Sequence, residues 1–161
     1  MKHTLSVLVE NKPGVLTRIA ALFARRGFNI DSLAVGETED PSLSRMTIAV
    51  DAQDSPLEQV TKQLHKLINV IKITDLDPAT SVERELVLMK VKAGSETRAE
   101  IMQIVEVFRG KIVDVSPGAF VVEVTGNREK IDAMLKLVRP FGLLELVRTG
   151  RIAMGRGSAK L

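Results

Sequence analysis

Few residues in this 161-residue chain combine type and spacing in a way that does chemistry. The clearest run is Asn11-Lys12-Pro13-Gly14-Val15-Leu16, set between an alternating apolar segment and a helical one. Pro13 brings no N–H. The amides of Gly14, Val15 and Leu16 point out of a first helical turn, and a helix start of this kind binds a carboxylate or a phosphate. Gly14 lets a ligand approach the backbone with no Cβ in the way, and the Asn11 side chain both donates and accepts. Two readings of these residues stand: a ligand site, or a helix that Asn11 merely caps and a turn that Gly14 merely permits.

Other chemistry is poorly supplied. His3 sits at a strand start and His65 on a helix flank beside Lys62 and Lys66, both read as surface histidines. No HxH, HxxxH or HExxH spacing exists, so no metal site is read. Cysteine is absent, which removes disulfides, thiol catalysis and thiolate ligation and fits a cytoplasmic protein. Glu37-Thr38-Glu39-Asp40 reads as a solvated turn rather than a calcium loop. Gly150 to Gly157 has the glycine spacing of a phosphate loop, but Arg156 stands where Lys is needed and Gly157 where Ser or Thr is needed. The inventory contains no catalytic residue. The first residues lack the apolar core of a secretory leader, and no run of 18 apolar residues spans a membrane. The net charge of +3 is a weak signal for nucleic acid. With five Phe, no Tyr and no Trp, stacking platforms for single strands are missing.

The elements that position the Asn11–Leu16 run follow from periodicity. Residues 3–10 alternate, with Leu5, Val7 and Val9 on one face. Val15, Leu16, Ile19, Ala20, Leu22 and Phe23 recur at helical spacing up to a closing Gly27. Residues 29–38 and 43–51 read as strands. Ser55-Pro56-Leu57-Glu58 reads as a capped helix start, continued by a stripe of Leu57, Val60, Leu64, Leu67 and Ile68. Residues 70–76 form a fourth strand. After a linker at 77–81 the order repeats: strand 85–93, a helix ending at Gly110, strands 111–115 and 120–125, a helix capped by Asn127, and a last strand 143–149.

The predicted class is therefore α+β, two tandem ferredoxin-like βαββαβ domains at 1–77 and 82–152, with 153–161 as a flexible basic tail. Each sheet has the spatial order 4-1-3-2 with two helices on one face. The other face, carrying Leu8, either Leu33 or Ile30, Leu86 and Leu88, is too apolar for bare solvent and calls for cover. The second strand is an edge whose middle, Leu33-Ala34-Val35-Gly36, bears no charge and invites pairing with a second copy. Antiparallel pairing about a twofold axis brings Asn29 of one copy toward the helix-start loop of the other, a pair of polar groups suited to an amino acid.

These residues carry a resemblance. LSVLVENKPGVLTRIAALFARRGFNIDSL followed by SRMTI resembles an ACT domain, the βαββαβ module that senses small molecules. With Gln63-Leu-His-Lys-Leu, Val82-Glu-Arg-Glu-Leu and Phe108-Arg-Gly-Lys-Ile-Val-Asp-Val, it is similar to the small regulatory subunits of acetolactate synthase over about residues 2 to 157. The resemblance implies a chain with no catalytic residues and no cofactor of its own. It implies a large catalytic subunit as partner, which carries thiamine diphosphate, FAD and magnesium. It implies a homodimer through the ACT domains, and feedback inhibition by valine or a related branched-chain amino acid. The valine site carried over from the family uses Asn11, Gly14, Val15 and Leu16 of one chain and Asn29 and Ile30 of the other. A free-standing tandem ACT regulator shares this fold and site. An RNA-binding pair of ferredoxin-like domains lacks its aromatics here, and a small enzyme of this fold lacks its catalytic groups.

Overall fold

The computed structural model describes residues 2–52 and 57–160. The chain divides into two units: the residues up to Glu83 together with those from Arg151 onward, and Arg84–Gly150.

In the first unit β1 (Lys2–Glu10), α1 (Val15–Arg25), β2 (Asn29–Glu37), β3 (Leu43–Asp51), α2 (Leu57–His65) and β4 (Val70–Asp75) follow the expected βαββαβ order. The strands are antiparallel and lie β2-β3-β1-β4, the predicted arrangement. Alternation sends Leu5, Val7 and Val9 of β1 and Met46, Ile48 and Val50 of β3 to one face. There they pack with Val15, Ile19, Leu22 and Phe23 of α1 and with Val60 and Leu64 of α2. Burying each of the larger side chains stabilises the fold by about 1.5–3 kcal/mol.

Helix α1 closes as the sequence predicts. Gly27 takes φ +75°, its N–H donates to Ala24 O, and Phe28 N–H donates to Phe23 O at 3.0 Å. The Phe23 and Phe28 rings meet edge to face at 6.3 Å, the apolar contact that accompanies this type of C-cap. The expected Ser55–Pro56 start of α2 lies outside the described residues. Ile68 does not join the α2 stripe: the helix stops at His65 and Ile68 is 87% exposed.

The outer sheet face departs from expectation in two ways. A β-bulge between Ile30 and Ser32 resets the alternation, so that Ile30 and Leu33 stand opposite Val50 and Ile48 and both pack on the helix side. Neither lies on the outer face. Alongside the expected Leu8, that face carries Ser6, Thr47 and Ala49, which are 1%, 3% and 0% exposed. Arg45 Nη1 donates to the Ser6 hydroxyl at 2.9 Å, and the end of the chain runs against β1. Ile152–Gly155, where the sequence predicts the end of the second domain and a flexible basic tail from 153, forms strand β9, which pairs with β5 (Ser81–Lys92). Arg156 N–H donates to Thr80 O at 2.7 Å and Arg151 Nη1 donates to Glu83 Oε1 at 3.0 Å. β9 also runs against β1. Both edges of β1 are taken by β3 and β4 and its odd-numbered side chains by the helices, so β9 lies over the even-numbered face. Within the predicted linker 77–81, Asp77 accepts from Ala79 N–H to cap the turn Pro78–Thr80, and β5 begins at Ser81.

In the second unit β5 continues into α3 (Arg98–Val107), β6 (Lys111–Val115), β7 (Ala119–Gly126), α4 (Arg128–Val138) and β8 (Leu143–Arg148), with strand order β6-β7-β5-β8. Val87, Met89, Val91, Val122 and Val124 face Ile101, Val105, Ile131, Met134 and Leu135. Asn127 caps α4 as predicted, accepting from Lys130 N–H at 3.0 Å. At the end of α3 the left-handed residue is Arg109, φ +56°, rather than Gly110. A Cβ on Gly110 would stand 3.1 Å from Glu123 O and 3.3 Å from Val105 Cγ1, a crowded approach that glycine avoids, while Arg109 takes the left-handed angle.

Candidate effector site at the start of the first helix

The helix-start loop is built by the turn out of β1. Asn11 N–H donates to Ser42 O at 2.7 Å, and Asn11 Nδ2 donates to Pro41 O at 3.0 Å and Glu37 Oε1 at 3.3 Å. Asn11 therefore ties the loop to the β2–β3 connection and does not cap α1. Within that connection Asp40 accepts from the Ser42 hydroxyl at 2.7 Å and the Ser42 N–H at 2.9 Å. These two bonds hold the Asp40 carboxyl below its ordinary range.

The N-cap position belongs to Gly14, at φ +84° and with no side-chain cap. The first intrahelical bond runs from Arg18 N–H to Gly14 O. The amides of Leu16 and Thr17 thus have no acceptor within the helix, and Val15 N–H lies a long 3.5 Å from Lys12 O. No acidic side chain stands in the first turn to offset the positive helix end. A Cβ built on Gly14 meets nothing within 4 Å, so the space above the turn is open. The Val15 side chain is buried in the core while Leu16 is 42% exposed at the mouth. Sequence reasoning named the amides of Gly14, Val15 and Leu16. With Gly14 as the cap, Thr17 is the missed member of the set, and only the cap position could have revealed it. Arg18, also unremarked in the sequence, crosses from α1 to Asn69, donating to Oδ1 at 2.8 Å.

Asn29 and Ile30 lie elsewhere in the same chain. Asn29 opens β2 opposite Asp51, exposed, with Nδ2 donating to Asp31 Oδ1 at 3.3 Å. Ile30 is half-buried against the core. Asn11 is bonded to Glu37, the last residue of β2, so one nine-residue strand, about 27 Å of chain, separates it from Asn29. One protomer does not bring the two asparagines together.

The remaining candidates are dispersed. His3 Nδ1 lies 3.0 Å from Asp75 Oδ2, an oriented imidazole on the sheet rim that the sequence did not foretell. His65 is exposed. Among the described residues no three His, Cys, Asp or Glu gather as metal ligands, and no helix is long and apolar enough to cross a membrane. Of the glycines at 150–157, Gly155 ends β9 and the others flank it, and none of the described residues after them is helical.

Two family models match the two parts of the chain: an AHAS small subunit-like ACT domain over residues 5–72 and the small subunit of acetolactate synthase over 84–157. A probable acetolactate synthase small subunit from Methanothermobacter thermautotrophicus is 60% identical over 157 residues, covering 97% of this chain and 94% of that one. The acetolactate synthase small subunit of Mycobacterium bovis is 57% identical over 155 residues, covering 96% of this chain and 92% of that one. The crystal structure of the acetolactate synthase small subunit from Thermotoga maritima superposes with a TM-score of 0.89 at 48% identity, each chain covered to 99%. The chain belongs to the acetolactate synthase small-subunit family, and it is a regulatory rather than a catalytic chain.

Proposed function

We propose that this chain senses valine, or a related branched-chain amino acid, at a site shared by two copies of its first unit, and passes that signal to the catalytic subunit of acetolactate synthase. The observation that carries the reading is the uncapped start of α1 over Gly14, set at the opposite end of the edge strand β2 from Asn29. Antiparallel pairing of two β2 strands about a twofold axis sets Asn29 of one protomer against Glu37 of its partner, the residue to which Asn11 is bonded. The amino acid's carboxylate then lies on the amides at Val15, Leu16 and Thr17, held by the helix dipole. Its ammonium faces the side-chain oxygens of Asn11 and Asn29, and its apolar side chain lies toward Leu16 and Ile30.

In this reading the chain raises the activity of the large subunit and makes it sensitive to valine. Thiamine diphosphate, FAD and magnesium belong to the large subunit, and this chain contributes no cofactor and no catalytic group. It works in the cytoplasm, with neither nucleic acid nor membrane as partner. Reconstitution tests the proposal. The catalytic subunit alone should be slow, addition of this chain should raise its rate, and valine should then lower it. A rate that this chain leaves unchanged, or that valine does not lower, rejects the corresponding half of the proposal.

A further inference from the structure

Arg26 at the end of α1 and Gln59, Lys62, Gln63, His65 and Lys66 along and just past α2 line a concavity of about 550 Å³. Gln59, Lys62, Gln63 and Lys66 recur at i, i+3, i+4 and i+7, which places them on one helical face. Val60 and Leu64 hold the opposite face in the core. Every ionisable group in the lining is basic. Lys62 lies 3.2 Å from Glu58, but the two side chains are 70% and 77% exposed, so solvent screens the pair and it leaves the patch cationic. Two residues past Lys66, Ile68, at 87%, is the most exposed large apolar side chain among the described residues, and Ile71 of β4 is 51% exposed.

The topology places this surface away from the effector seam. In the order β2-β3-β1-β4 the two edges of the sheet are β2 and β4, and α2 packs with β4. A dimer made through β2 leaves α2, Ile68 and β4 facing outward. The cationic face extends over about two helical turns and an exposed isoleucine follows it in the chain, so it is longer and more apolar than a phosphate group requires. Two carboxamides among the cations suit side-chain carboxylates and backbone amides of a peptide. Resting on the reading of this chain as a subunit that assembles with a catalytic partner, we propose that this surface docks an acidic segment of the catalytic subunit, with Ile68 as the apolar anchor and Lys62, Lys66 and Arg26 as the cations that select it.

The test uses the full chain and the catalytic subunit. Lys62→Glu/Lys66→Glu should raise the concentration of this chain needed for half-maximal activation by at least about tenfold and flatten its dependence on salt. Lys62→Gln/Lys66→Gln, which removes charge without opposing Glu58 or the helix dipole, should move it the same way by a smaller factor. Ile68→Ser should weaken activation without changing the salt dependence. Valine binding by each isolated variant, read by calorimetry, should stay at the wild-type value, which shows that the fold survives. Lys111→Glu/Lys136→Glu, the same charge change in the other unit, should leave half-maximal activation in place. Wild-type activation combined with unchanged half-saturation in both Lys62/Lys66 variants overturns the docking surface alone. A wild-type chain that does not activate at all overturns the functional reading and this surface with it. Stabilisation by pyrophosphate of the wild type but not of the double variant, with activation unaffected in both, marks a small-anion site and also overturns the proposal.

Discussion

Gly14 meets two demands at one residue. Its φ of +84° is a left-handed angle that a side chain adopts at a cost of roughly 1–2 kcal/mol. The open space above it also leaves the amides of α1 accessible. Gly14→Asp adds a carboxylate where the ligand's own is proposed to sit, and Asp is among the residues that tolerate this angle best. Loss of charge-assisted hydrogen bonds worth about 1.5–3 kcal/mol each should weaken valine inhibition of the reconstituted enzyme at least about tenfold, with activation retained. Gly14→Ala imposes the strain and the Cβ without the charge, so the difference between the two variants reads the electrostatic part. Asn29→Ala should act in the same direction with a smaller effect. Unchanged inhibition in Gly14→Asp would move the ligand off this helix start, and loss of activation together with inhibition would assign Gly14 a structural role.

At the scale of elements, the proposed dimer rests on the edge strand β2. Val35 near its middle is 46% exposed and no charged side chain stands between Asp31 and Glu37. Charge on an edge is a general device against strand pairing. Val35→Lys should therefore weaken the dimer measured by sedimentation at least about tenfold, and valine sensitivity should fall in parallel because the site needs both copies. A dimer of undiminished strength would place the seam elsewhere. Element ends show how far local signals reach. Gly27 was legible as a C-cap because a glycine after a periodic stripe, flanked by Arg25 and Arg26, is a local pattern. Gly110 was legible as a helix end but not as the wrong residue for the left-handed angle, because its close neighbour, Glu123 O, comes from β7.

At the scale of the whole molecule, the chain leaves the first unit at Glu83 and returns to it at Arg151. A chain ending at Gly150 would lose the Arg151–Glu83 pair, the Arg156–Thr80 backbone bond and the contact of β9 with β1. Two hydrogen bonds at about 1 kcal/mol each imply a first unit less stable by about 2 kcal/mol. For a domain of this size that is a fall in Tm of roughly 10 °C, read by calorimetry. Equal unfolding temperatures for the two chains would show that β9 is dispensable.

Alternation, helical stripes and turn residues are local, so the order of elements, the two βαββαβ repeats, the core residues and the helix-start loop were all determined by the sequence alone. The outer face was not. Whether Ile30 or Leu33 points outward depends on one bulge against β3, and that bulge turned both inward. Strand β9 has four residues between glycines and no pattern of its own; it is a strand because β5 and the face of β1 are there to receive it. Likewise Asn11 is equally suited by type to cap a helix or to hold a loop. The nearness of Pro41 and Glu37, brought together by the pairing of distant strands, decided that it holds the loop and leaves α1 without a side-chain cap.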